Sequence, residues 1–171
     1  MILPDDIRSF WRHSLQVIPQ DVIKDMNVSP ATKDFLAHIG LPKDVSAVLN
    51  HALEVNFYFS RNKIVEQKYN QRVYWQIGDD TGTSLCLCEE DDKIYSIDFN
   101  GELPAPFCLV NSGIAQFLGC LQTFSEFQKL SAVEQDQEKV LRSMITRFNE
   151  IDDACLGDRS TWWSVVIHQP Y

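Results

Sequence analysis

The stretch from Val55 to Phe99 constrains the fold of this chain more than any other. It holds five short runs rich in β-branched and aromatic residues: Val55-Asn56-Phe57-Tyr58-Phe59, Ile64 to Tyr69, Val73 to Ile77, Ser84 to Cys88 and Ile94 to Phe99. Polar connectors separate them at Ser60-Arg61-Asn62-Lys63, Tyr69-Asn70-Gln71-Arg72, Gly78-Asp79-Asp80-Thr81-Gly82 and Glu89-Glu90-Asp91-Asp92-Lys93. Short strands joined by short polar turns predict an antiparallel meander. A last short strand, Phe107 to Val110, follows the rigid segment Leu103-Pro104-Ala105-Pro106.

Helical patterns flank the meander. Ile7, Phe10, Trp11 and Leu15 have helical spacing behind Pro4, Asp5 and Asp6, residues that suit a first turn. A second helix is punctuated by Ser29 as cap, Pro30 in the first turn, Gly40 as stop and Pro42 beyond it. After the strands, Ile114, Phe117, Leu118, Leu121 and Phe124 form one apolar stripe, and Val140, Leu141, Met144, Ile145, Phe148 and Ile151 a second. Phe117, Leu118, Leu121, Leu141, Met144, Ile145 and Phe148 are expected in the core. Trp162 to Ile167 suits helix or strand, and helix is the preferred reading, with the Trp162-Trp163 pair assigned to the core. The fold class that follows is α+β: a twisted, mainly antiparallel sheet with N- and C-terminal helices packed on it. A length of 171 residues suits a single domain, 1–171.

Charge narrows the partners. Lys and Arg number 15 against 24 Asp and Glu, a net charge of −9, and the densest run is acidic, Glu89-Glu90-Asp91-Asp92. Such a chain repels nucleic acid and anionic membrane surfaces and attracts a basic partner. The N-terminus lacks the features of a secretory signal, and no apolar run reaches the length of a membrane span. Five cysteines, an odd number, argue for reduced thiols. A cytoplasmic protein is expected.

Motifs for catalysis are weak. Cys86-Leu87-Cys88 puts two thiols on one strand face, but a zinc site needs about four ligands, and buried structural thiols are the better reading. His13, His38, His51 and His168 form no recognisable ligand pair. Gly78 to Ser84 resembles a phosphate loop only superficially: two carboxylates would face the anion and no Lys follows. A hairpin turn fits better, with a cation such as Mg²⁺ as the alternative. Ser112 has no placed base, and Asn111 or Ser112 reads as the cap of the helix that follows. A small carboxylate-dependent hydrolase stays open, although no acidic pair stands out. No catalytic residue, cofactor site or metal site is assigned.

Phe35-Leu36-Ala37-His38-Ile39-Gly40-Leu41-Pro42, the stretch Ile77 to Leu87, the Asn111-Ser112 turn within Phe107 to Leu118, and Ile151-Asp152 followed by Trp162-Trp163 form an ordered set spanning nearly the whole chain. In that order they resemble the SUKH superfamily, and more closely its fourth subgroup of bacterial immunity proteins. The resemblance implies an α+β fold and neutralisation of a cognate toxin of a polymorphic toxin system, often a nuclease or deaminase, by direct binding. It carries over no catalytic residue, and other members of the superfamily serve as intracellular adaptors, so an adaptor is the alternative role.

If the chain binds a basic toxin, Asp79, Asp80, Glu89, Glu90, Asp91 and Asp92 are the candidate contacts. The two turns lie at opposite ends of the strand Ser84 to Cys88, about 17 Å apart by strand rise, so one standard interface of about 800 Å² per partner could include both. Neutralising Glu89, Glu90, Asp91 and Asp92 is expected to slow association and leave thermal stability unchanged.

Overall fold

A computed structural model describes residues 4–12, 14–43, 45, 49, 53–60, 63–66, 71–101 and 106–168. The helices are α1 (Pro4–Trp11), α2 (Gln20–Ile23), α3 (Pro30–His38), α4 (Ile114–Ser131), α5 (Gln137–Ile151) and α6 (Trp162–His168). The strands are β1 (Leu15–Gln16), β2 (Leu41–Pro42), β3 (Val55–Phe57), β4 (Lys63–Glu66), β5 (Arg72–Asp80), β6 (Thr83–Cys88), β7 (Ile94–Ile97) and β8 (Phe107–Asn111). The architecture is α+β, as the alternation of patterns predicts.

β3 and β4 both pair antiparallel with β5, β3 along its C-terminal end and β4 along its N-terminal half. Between them Tyr58 N–H donates to Ile77 O at 3.1 Å and Ser60 N–H to Gln76 O at 3.0 Å. They therefore act as one interrupted edge strand, and the order across the sheet is β3/β4, β5, β6, β7, β8, antiparallel throughout. The expected strand Ile64 to Tyr69 is described only as far as Glu66; residues 67–70, like His13, His51 and 102–105, lie outside the described residues.

A register shift between Gln76 and Gly78 inserts Ile77, whose side chain is fully buried. Gly78 is required at the next position: a Cβ there would lie 2.3 Å from the Asn56 carbonyl oxygen, so any larger residue would push β3 off the sheet. Gly40 plays the same part at the N-terminal end, where its φ of +82° ends α3, and a Cβ would sit 2.1 Å from Gln16 O across the β1–β2 ribbon. Ser29 caps α3 by accepting from Thr32 N–H at 3.2 Å, as its place before Pro30 predicts.

The two faces of the sheet are unlike. On one, Trp75, Ile77, Leu85, Leu87, Ile94 and Val110 pack with α4, α5 and α6 in the main core. The other carries a smaller buried cluster, Tyr74, Cys86, Cys88, Tyr95 and Ile97, against which Phe107 packs. Its rings meet edge to face and stacked, Tyr74 to Tyr95 at 6.0 Å and Tyr95 to Phe107 at 4.9 Å. Among the described residues no helix is long and apolar enough to cross a membrane.

Of the seven expected core residues on α4 and α5, Phe117, Leu118, Leu121, Met144 and Phe148 are buried, while Leu141 and Ile145 are half-buried. Val140, Met144, Phe148 and Ile151 form the inward line; Leu141 and Ile145 stand one residue, about 100°, round the helix from it. Trp162 and Trp163 are both buried, on a helix. Phe148→Ala should therefore cost about 3–5 kcal/mol, and Ile145→Ala less than half as much. Urea denaturation of the two variants checks the ranking.

Candidate functional site

The period of a β-strand splits the Asp79-Asp80 pair. Both residues belong to β5 rather than to the turn, which is Thr81-Gly82: Asp79 stands opposite Ser84 and Asn56, Asp80 opposite Thr83 and Val55. Successive side chains point to opposite faces. Asp80 turns to the helix side and accepts from Trp162 Nε1 at 2.6 Å. Burial pushes its carboxyl above the ordinary carboxylate range, against the pull of that hydrogen bond. Asp79 turns to the other face and accepts from Asn56 Nδ2 at 3.1 Å. Asp80 is thus a tie between β5 and α6, and Asp79 is the member available to a partner.

Around Asp79 the sheet end forms a cleft of about 350 Å³ lined by Glu54, Asn56, Tyr58, Gln76 and Ser84 among others. Glu54, Asn56 and Tyr58 project outward at every second residue, alternating with buried Leu53 and Val55. Gln76 Nε2 donates to Tyr58 Oη at 2.6 Å and to Ser84 Oγ at 3.0 Å. Burial and then the neighbouring Asp79 carboxylate, to which the phenol hydrogen bonds, raise the Tyr58 pKa, so the phenol stays neutral. None of these companions of Asp79 follows from a motif. The signal for them is the register of β3 and β6 on β5, combined with alternation.

The second acidic turn is woven into the fold. Glu89 Oε1 accepts from Asn27 N–H at 2.9 Å and from Trp75 Nε1 at 2.7 Å. Asp92, at a left-handed φ of 58°, accepts from Ser29 N–H at 3.1 Å and Thr32 Oγ1 at 2.9 Å, at the N-terminus of α3. Glu90 accepts from Val73 N–H at 3.1 Å and from Cys88 Sγ at 3.0 Å. Asp91 pairs with Arg72 Nη1 at 2.8 Å and accepts from Tyr95 Oη at 2.9 Å. Burial alone would raise the Asp91 pKa; the hydrogen bonds from Tyr95, Lys93 N–H and Cys88 and the Arg72 charge outweigh it and hold the carboxyl below its ordinary range. The two turns do flank β6, as its length predicts. The expectation that neutralising the second turn leaves thermal stability unchanged is overturned, because all four carboxylates hold neighbouring elements.

Asn111 and Ser112 do not cap α4. The cap position is Gly113, with no side-chain hydrogen bond. Asp152 Oδ2 instead accepts from Asn111 Nδ2 at 2.8 Å and Ser112 N–H at 2.7 Å, and Oδ1 from Ser112 Oγ at 2.8 Å. Asn111 Oδ1 accepts from Trp163 Nε1 at 2.8 Å. Asn111, Asp152 and Trp163 are buried, Ser112 is half-buried, and their polar atoms are taken up by one another and by Ala154 N–H, which makes the group architecture rather than a reactive centre.

The other candidates offer little chemistry. Burial pushes the thiols of Cys86 and Cys88 up to about 12 and that of Cys108 up to about 11; Cys120 rises through burial and its hydrogen bond with Cys155. Such thiols stay protonated near neutrality and are poor nucleophiles. His38 and His168 sit at helix C-termini, with Nδ1 against Asp34 O at 3.1 Å and Ser164 O at 2.8 Å. Among the described residues no group of three His, Cys, Asp or Glu side chains could hold a metal ion.

Two outcomes follow. Asp152→Ala strands the donors of Asn111 and Ser112 and should cost about 3–5 kcal/mol, at about 1–3 kcal/mol per orphaned buried group, with α6 the first element to lose protection in hydrogen exchange. Asp91→Asn should cost about 1–2 kcal/mol near neutrality. A depressed folded-state pKa gives stability that is present above the unfolded pKa, about 3.9, and lost as pH falls through the folded value. Thermal melts of variant and wild type should therefore converge only on the acid side of that window.

No curated protein and no solved structure matches the chain. A family model described as SUKH-4 immunity protein matches residues 8–169. That span contains the ribbon, the whole sheet, both acidic turns and the Asn111–Asp152–Trp163 group, and the chain belongs to the SUKH-4 immunity protein family.

Proposed function

We propose that this protein neutralises a cognate toxin of a bacterial polymorphic toxin system by binding it directly, in the cytoplasm and without catalysing a reaction. The family match over residues 8–169 carries the reading. The physical character of the chain supports it. With a net charge of −9 the protein is steered toward a basic surface, the kind of surface a toxin acting on nucleic acid presents. The thiols of Cys86, Cys88, Cys108 and Cys120 are held protonated, and the buried Asn111–Asp152–Trp163 group is spent on its own hydrogen bonds, which suits a binding protein.

The toxin-facing surface in this reading includes the sheet end, where Asp79 is presented and Asp80 is tied inward to α6, and the turn Glu89, Glu90, Asp91 and Asp92. The second turn adds to the field of the protein even where it makes no direct contact. Asp79 contributes a side chain as well as a charge.

Co-expression with any toxin domain encoded beside this gene tests the reading. Growth should be rescued from that toxin alone, and the purified pair should form a complex whose association slows as salt rises from 50 to 500 mM, values chosen to shorten the Debye length from above 10 Å to a few Å. Failure to rescue from any neighbouring toxin would point to the adaptor role instead.

A further inference from the structure

We propose that the cleft beside Asp79 is an anchor pocket for one arginine or lysine side chain projecting from the partner protein. The inference rests on the immunity reading for the identity of the partner, and on the cleft itself for the chemistry.

Three independent observations meet there. The first is the hydrogen-bond inventory. The amide of Gln76 is committed to Tyr58 and Ser84, that of Asn56 donates to Asp79, and the phenol proton is turned to Asp79. The Gln76 and Asn56 amides and the phenol are thus directed onto acceptors of the wall, and no Lys or Arg lines the cleft. The side chains of Glu54 and Asp79 at the opening supply carboxylate acceptors, which favour a ligand that brings several N–H groups. The second is Tyr58, a ring 43% exposed at the rim beside a carboxylate. An aromatic face next to an anion suits a guanidinium or ammonium, which gains from both. Tyr at the centre of an interface is also a common energetic anchor. The third is where the charge of the chain resides. Residues 53–111, which include the main sheet and its turns, carry ten carboxylates and five cations, more than half of the net charge of −9. A basic partner is drawn to the sheet at least as strongly as to the helices.

The wall is also braced. Gly78 lets β3 close onto β5 at Asn56, and Gln76 braces Tyr58 against β6. A prebuilt pocket loses little entropy when a long cationic side chain enters it.

The test uses the full chain, ¹⁵N-labelled, titrated with N-acetyl-arginine amide and, separately, with the neutral isostere N-acetyl-citrulline amide and with MgCl₂ at matched ionic strength. The arginine probe should shift the amides of Asn56, Tyr58, Gln76, Asp79 and Ser84 together, the citrulline probe should not, and Asp79→Asn should abolish the effect. Shifts spread over all acidic loops, shifts unaffected by Asp79→Asn, or an equal response to Mg²⁺ would overturn the pocket. Against the toxin found by co-expression, Asp79→Asn and Tyr58→Ala should each weaken binding roughly tenfold, with a cooperative melt retained well above the assay temperature, while Glu138→Gln on α5 should not. If the toxin binds both cleft variants as it binds wild type, the pocket is wrong and the immunity reading stands. If wild type neutralises no toxin, the immunity reading fails and the probe titration alone judges the cleft.

Discussion

The carboxylate of Asp152 is the point on which the C-terminal half of the molecule depends. It ends α5, where its φ of −158° leaves the helix, and its oxygens receive the backbone and hydroxyl of Ser112 and the amide of Asn111. Those two residues join β8 to α4. Asn111 passes the constraint on through its own carbonyl oxygen to the indole of Trp163, and that ring meets Phe148 at 4.7 Å and Phe124 at 5.8 Å. One buried side chain therefore fixes the last strand, two long helices and the terminal helix against one another. A buried polar group of this kind adds little net stability over an apolar core; it makes one arrangement much better than its neighbours, because any slip strands a donor.

The N-terminal half is held by the same device at the other end of the sheet. Residues 27–32 contribute no strand to the main sheet, yet Glu89 and Asp92 bind their backbone and the start of α3. A helix N-terminus presents unpaired N–H groups and a partial positive charge, and a carboxylate from the β6–β7 turn answers both. Four adjacent carboxylates would repel one another on a bare loop. Here each is drawn to a different donor, and Arg72 pairs with Asp91. The acidic run is a structural hub that also shapes the outer field of the protein.

This division explains what could be read from the residues and what could not. Alternation and turn composition reveal the strands between Val55 and Phe99, and capping and stop residues reveal α3, because those signals are local. The inward lines of α4 and α5 are legible for the same reason; the half-burial of Leu141 and Ile145 is not, since apolar character alone does not say where a stripe ends. The roles of Asn111 and Ser112 were hidden because a side chain before a helix suits a local cap, and only the distant Asp152 competes for it. The cleft at Asp79 was hidden for a similar reason. Glu54 and Tyr58 reach it through pairing across β5, and strand register is set by the whole sheet.

The Asp79-Asp80 pair shows how one strand serves both ends. Two adjacent carboxylates look equivalent in the sequence, but the pleat gives one to each face. Asp80 is answered by Trp162 from within the fold, and its neighbour across the turn, Thr83, bonds Ser96 at 2.6 Å on the same side. Asp79 meets Asn56 and the phenol of Tyr58 at the open end of the sheet. The inner contact sets the position of α6, and through Trp163 it shares the frame built on Asp152. The outer carboxylate is thereby held on a strand fixed from both faces. A recognition group mounted on such a strand can be replaced, together with Glu54 and Tyr58 around it, without touching the buried groups that specify the fold. That separation would let one scaffold serve partners with different surfaces.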